Sequence, residues 1–97
     1  MAITIKPYLD MNYNKTKTYL VSIIYDKHVS WEFCVRVLKN TFHKSQSDAE
    51  AIAHEIVTEG EAYCGVYLLE IAETKAETVE AQAEKEGFSL YCLVEEV

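Results

Sequence analysis

The sequence lacks the strings that most soluble enzymes and metal proteins carry. There is no Gly-rich phosphate loop and no H-E-x-x-H, so neither a nucleotide cradle nor a helical zinc-hydrolase pair is available. Three cysteines, Cys34, Cys64 and Cys92, are odd in number and show no C-x-x-C spacing, which points away from a disulfide framework or a zinc site and toward reduced core residues. His28, His43 and His54 do not fall at metal-ligand spacing, and no cofactor or metal is implied. No apolar run approaches the ~20 residues that cross a bilayer. The N-terminus has no charged-then-apolar signal pattern, so a cytoplasmic protein with no membrane partner is expected. Basic charge is also scarce: nine Lys and Arg stand against sixteen Asp and Glu, a net of −7, which disfavours a nucleic-acid partner.

What is present makes one small domain. A 97-residue chain buries roughly 60 to 70 per cent of its unfolded surface, enough for a single core. Charge is divided unevenly: residues 1–44 hold seven Lys and Arg against three Asp and Glu, and residues 45–97 hold two against thirteen. That acidic half fits a solvated face or a surface for docking a protein partner. Residues 1–17, polar and with Pro7, Asn12 and Asn14, show no sustained period and are expected to form a flexible tail ahead of a domain spanning 18–97.

Within the domain the periodicity changes four times. Thr18 to Tyr25 is β-branched and aromatic enough for a strand. Asp26 to Val29 connects it to a helix from Trp31 to Phe42, with Ser30 as N-cap and Cys34, Val35, Leu38 and Phe42 along one side. A second helix begins after Ser45 or Ser47. Its stripe of Ala49, Ile52, Ala53, Ile56 and Val57 is expected to be buried, and Gly60 to end it. Ala62 to Ile71 reads as a strand and Ala72 to Glu86 as a helix, with Ala72, Ala76, Val79 and Ala83 inward. Gly87 closes that helix before a strand in which Phe88, Leu90, Cys92 and Val94 alternate. The order β-α-α-β-α-β predicts an α+β fold, three helices on one three-stranded antiparallel sheet. No catalytic constellation emerges. Cys34, preceded by Asp26 and His28, is expected inside a helix-packed core, where burial suppresses the thiolate.

One stretch carries more than periodicity. Gly60, Ala62, Cys64-Gly65-Val66-Tyr67, Glu70 and Ile71-Ala72-Glu73-Thr74-Lys75 follow the order G-x-A-x-C-G-V-F/Y-x-x-E-I/V-A-E-T-K. That order resembles the ClpS family, small adaptors that feed substrates to the Clp AAA+ unfoldase and protease. Trp31-Glu32-Phe33 resembles the family's x-E-F at the first helix, and Leu90-Tyr91-Cys92 with Glu95 its last strand. The resemblance runs over about residues 18–97 without a register break and implies the same β-α-α-β-α-β fold.

The resemblance also implies two working surfaces. In the family an Asn, an Asp and a His hold the free α-amino group of a protein or peptide whose first residue is a large apolar one, the N-degron. By register those positions are Tyr25, Asp26 and Val57 here, so only Asp26 keeps its identity. A hydrogen bond to a charged group contributes about 1.5–3 kcal/mol, so two losses imply roughly two to four decades in affinity if independent. The pocket-lining positions correspond to Val29, Trp31, Cys34, Ala53, Ile56 and Leu90, alongside Val57. Trp31 and Ala53 stand where the family often has Met, so one fills space and the other opens it; the six are either a remodelled pocket or ordinary core and rim residues. On the second surface, Glu70, Glu73 and Lys75 match residues that dock on the unfoldase N-domain, although Glu73 also fits a charged helix start. The family's tail reaches the unfoldase pore, and here the residues before the first strand extend to about 60 Å. The expectation is a divergent adaptor with lost or altered N-degron recognition. A receptor with changed side-chain preference and a docking-only inhibitor are the alternatives.

Overall fold

The computed structural model describes residues 17–27 and 29–97; residues 1–16 of the expected tail and His28 of the first connection lie outside the described residues. Six elements follow in order: β1 Tyr19–Lys27, α1 Trp31–Asn40, α2 Gln46–Glu59, β2 Glu61–Tyr67, α3 Leu69–Glu86 and β3 Ser89–Glu96. The strands form one antiparallel sheet in the order β2-β1-β3, with β1 in the centre. This is the expected α+β, β-α-α-β-α-β architecture.

Local chemistry accounts for most boundaries. The Ser30 hydroxyl accepts from the Phe33 amide at 3.0 Å and starts α1. Ser45, rather than Ser47, caps α2 by accepting from the Asp48 amide at 3.2 Å. Gly60 (φ 91°) and Gly87 (φ 81°) take the left-handed conformation that ends α2 and α3. The α3 inner side is Ala72, Ala76, Val79 and Ala83, all buried, and these short side chains let the helix lie close on the sheet.

Three boundaries differ from the sequence reading. β1 continues two residues past Tyr25 because Lys27 pairs with Ser89, leaving Asp26 as the extra residue of a bulge. α1 ends at Asn40, yet Phe42 still packs into the core beyond the Thr41 cap. The largest shift is at the junction of β2 and α3. The strand stops at Tyr67 and the helix begins at Leu69, so Glu70 and Ile71 belong to the first helical turn. The Ala72 amide donates to the Leu68 carbonyl at 2.9 Å there. The run Leu68-Leu69-Glu70-Ile71 read as strand because a short, mostly apolar run has no decisive period.

The core lies between the helices and one face of the sheet. Val21 and Ile23 of β1 meet Phe33, Cys34, Val37 and Leu38 of α1, Ala49, Ala53 and Ile56 of α2, and Ala62 and Cys64 of β2. The opposite face of the sheet carries Tyr63, Tyr91 and Leu93, which are exposed.

Candidate functional site

The first candidate site forms where β1 ends against α2 and β3. The Tyr25 amide donates to the Gly60 carbonyl at 2.8 Å, which ties the strand end to the C-cap of α2 and brings Tyr25 to the turn that carries Val57. Leu90 is the cross-strand partner of Tyr25. Asp26 sits in the bulge, and its carboxylate accepts from the Ser89 hydroxyl of β3 at 2.8 Å. Its surroundings are exposed, so water competes for the remaining lone pairs.

Burial divides the sequence-derived pocket residues into layers. Cys34, Ala53 and Ile56 are fully buried and are members of the core. Tyr25, Val29 and Leu90 are partly buried and pack against that core. Val57 is partly buried on the last turn of α2. Trp31 opens α1 directly after its cap and is 40% exposed, outside the packed layer. Among the described residues no cavity opens between these side chains. Burial pushes the Cys34 thiol up to about 11, so it is neutral and a poor nucleophile at physiological pH.

The second candidate surface is the start of α3, and here the structure separates residues that the sequence groups together. Glu70 and Glu73 are exposed. Lys75, two residues beyond Glu73, leaves on another side of the helix. Its ammonium donates to the Thr41 carbonyl at 2.6 Å and lies 5.1 Å from the Tyr67 ring and 6.0 Å from the Phe42 ring. A cation on the last carbonyls of α1 is favoured by the helix dipole, and its faces on the two rings add cation–π attraction. Tyr67 folds back over Gly65: a Cβ at position 65 would meet its ring carbons at 2.7 Å. Gly65, Tyr67 and Lys75 thus form one packed unit, a structural reason for part of the matching string.

Sequence reasoning missed Ser89 and Thr41, which hold Asp26 and Lys75. Neither carried a signal, since both contacts join residues far apart in the chain. It also missed that Leu68, Leu69 and Ile71 are exposed beside Glu70.

Comparison with known proteins resolves the family. The model for the ATP-dependent Clp protease adaptor protein ClpS matches residues 14–93. The chain belongs to the ClpS family. The ClpS adapter of Nitratidesulfovibrio vulgaris strain DP4 is 41% identical over 81 residues, covering 84% of this chain and 78% of the relative. That of Neisseria meningitidis serogroup A is 38% identical over 88 residues, covering 91% and 85%. In three dimensions the chain is similar to Agrobacterium tumefaciens ClpS2 bound to L-phenylalaninamide. The TM-score is 0.80 at 29% identity, covering 86% of this chain and all of that one. The ClpS family acts as adaptors of the Clp protease.

Proposed function

We propose that this chain is a divergent ClpS adaptor that docks on a Clp AAA+ unfoldase N-domain and modulates which substrates are degraded, with lost or altered N-degron recognition. The observation that carries the reading is the composition of the corner around Asp26. Val57, at the position of the amine-binding His, has no hydrogen-bonding group, and Tyr25 replaces an Asn whose carbonyl oxygen accepts. Asp26 remains, but one of its oxygens accepts from Ser89. An α-ammonium bound there meets one carboxylate in an exposed setting, where a charge pair contributes about 0–1 kcal/mol.

Docking is supported by the matching string at α3, where Glu70 and Glu73 stand free on the surface. Lys75 contributes by holding the start of α3 against α1. In this reading the adaptor acts without chemistry, by bringing cargo near the unfoldase or changing its substrate choice, and residues 1–17 serve as the element that reaches toward the pore.

A second reading, a working receptor with changed side-chain preference, is favoured by two observations. Val29 and Leu90 keep an apolar rim beside Asp26, and a relative of the same fold is bound to L-phenylalaninamide. Titration against an isolated Clp unfoldase N-domain tests the leading reading. Micromolar or tighter binding is expected, lost in Glu70→Ala with Glu73→Ala; a folded double variant that binds like the parent contradicts it. Removing Met1 to Thr16 should leave docking intact but change degradation, and no change in degradation removes the tail from the mechanism.

A further inference from the structure

The helices cover one face of the sheet, and among the described residues nothing covers the other. The middle row of that outer face is Tyr63, Ser22 and Leu93, with Val66, Leu20 and Glu95 on one side of it and Glu61, Ile24 and Tyr91 on the other. Tyr63 is 70% exposed, Val66 and Tyr91 each 52%, and Leu93 40%. Ser22 is the one buried polar side chain among the described residues, and its hydroxyl has no hydrogen-bond partner among them. One diagonal of the face, from Val66 over Ser22 to Tyr91, is thus an apolar channel with a short floor, while Glu61 and Glu95 take the other two corners. Contiguous exposed apolar surface of this kind marks a contact site.

We infer that this face receives an amphipathic helix of a partner protein whose apolar stripe is flanked on both sides by Lys or Arg. A strand would pair along an edge rather than lie on the face, and on the β3 edge Glu80 already accepts from the Cys92 amide at 2.8 Å. A helix fits the dimensions. Three strands measure about 10 Å from one outer strand to the other, and Leu20 to Ile24 spans about 13 Å, so the diagonal is about 16 Å. A helix of about eleven residues has that length and a width of about 10 Å. Laid from Val66 to Tyr91, it sets its apolar stripe between Tyr63 and Leu93, brings one flank over Glu61 and the other over Glu95, and passes above the Ser22 hydroxyl, which a polar side chain of the helix can engage.

Charge selects a basic helix over the other occupants. The three rows contain two glutamates and no Lys or Arg, and residues 17–97 as a whole carry seven Lys and Arg against fifteen Asp and Glu. A second copy meeting this face about a two-fold axis would set the same acidic corners against each other. An anionic membrane surface is disfavoured for the same reason, since such surfaces attract basic segments. The seat uses no residue of the Asp26 corner and none of the α3 surface, so it stands independently of the adaptor reading given above.

The test titrates the full chain into a fluorescein-labelled peptide that forms an amphipathic helix, a Leu stripe between two Lys flanks, read by anisotropy at physiological salt. Micromolar binding is expected, weakened about tenfold or more in Tyr63→Ser with Leu93→Ser and about threefold in Glu61→Gln with Glu95→Gln. The same peptide with Glu in place of Lys should bind about tenfold more weakly than the Lys form. Glu77→Gln with Glu84→Gln, which removes two charges from the exposed side of α3, should bind like the parent. In the unmodified chain, amide shifts on adding the Lys peptide should concentrate around Tyr63 and Leu93, a readout that does not depend on the folding of any variant. Absence of binding, face variants that bind like the parent, an equal loss in the α3 variant, amide shifts scattered over the domain, or self-association of the chain that Tyr63→Ser with Leu93→Ser abolishes, the mark of a second copy on the face, would each overturn the inference.

Discussion

The ammonium of Lys75 lies 5.1 Å from the ring of Tyr67 and donates to the Thr41 carbonyl. A residue that matches a docking motif is therefore half-buried and structurally engaged. Replacing Lys75 with Ala removes a charge-assisted hydrogen bond, about 1.5–3 kcal/mol, and cation–π contacts with two rings, about 0.5–1 kcal/mol each. A loss of about 1–3 kcal/mol in urea unfolding is expected, with Lys75→Arg retaining part of it. Glu73→Ala, at an exposed position, should change stability by less than about 0.5 kcal/mol. Equal stability of Lys75→Ala and parent would remove the structural role.

Gly65 is required by close approach rather than by an unusual backbone angle. Gly65→Ala places a methyl against the Tyr67 ring and should cost about 1–3 kcal/mol, the usual range for overpacking. The pair is coupled, so Gly65→Ala in a Tyr67→Leu background should cost less than in the parent. A double-mutant cycle that closes additively would show that ring and glycine do not meet.

Burial pushes the thiols of Cys34 to about 11 and of Cys64 and Cys92 to about 12, from 9.0. A raised thiol pKa favours the protonated folded form, so its contribution is complete below pH 9 and declines between 9 and 11–12 as the unfolded chain releases protons that the folded chain keeps. Denaturant unfolding should show a loss on the order of 1 kcal/mol per thiol at pH 10. The slope should flatten in a variant with all three Cys replaced by Ala. An equally steep decline in that variant assigns the effect to other groups.

The fold was legible where one local rule acted alone. The stripe Ala49, Ala53, Ile56 with Ser45 before it and Gly60 after it identified α2 because period, cap and stop agree. Leu68 to Ile71 misled because a four-residue stretch with three apolar residues fits a strand edge and a helix turn equally, and its helical state is marked by the Leu68 carbonyl accepting from the Ala72 amide. The bulge at Asp26 depends on the pairing of Lys27 with Ser89, a contact across the whole domain. At the candidate site, residue identities came from the motif, but their division into a buried floor of Cys34, Ala53 and Ile56 and an exposed Trp31 did not. Helical phase separates Lys75 from Glu73, whereas its partner Thr41 lies 34 residues away and was invisible to local pattern.

The central claim is that the corner formed by Tyr25, Asp26 and Val57 no longer holds a free α-amine as the family's Asn, Asp and His do. Fluorescence titration of a peptide beginning with free Leu or Phe, run in parallel on this protein and on Agrobacterium tumefaciens ClpS2, measures it directly. The expected result is at least tenfold weaker binding here, since one lost charged hydrogen bond approaches that factor, with partial recovery in Tyr25→Asn with Val57→His. Binding as tight as that of ClpS2, abolished when the peptide amine is acetylated, would contradict the account and establish the chain as a working N-degron receptor.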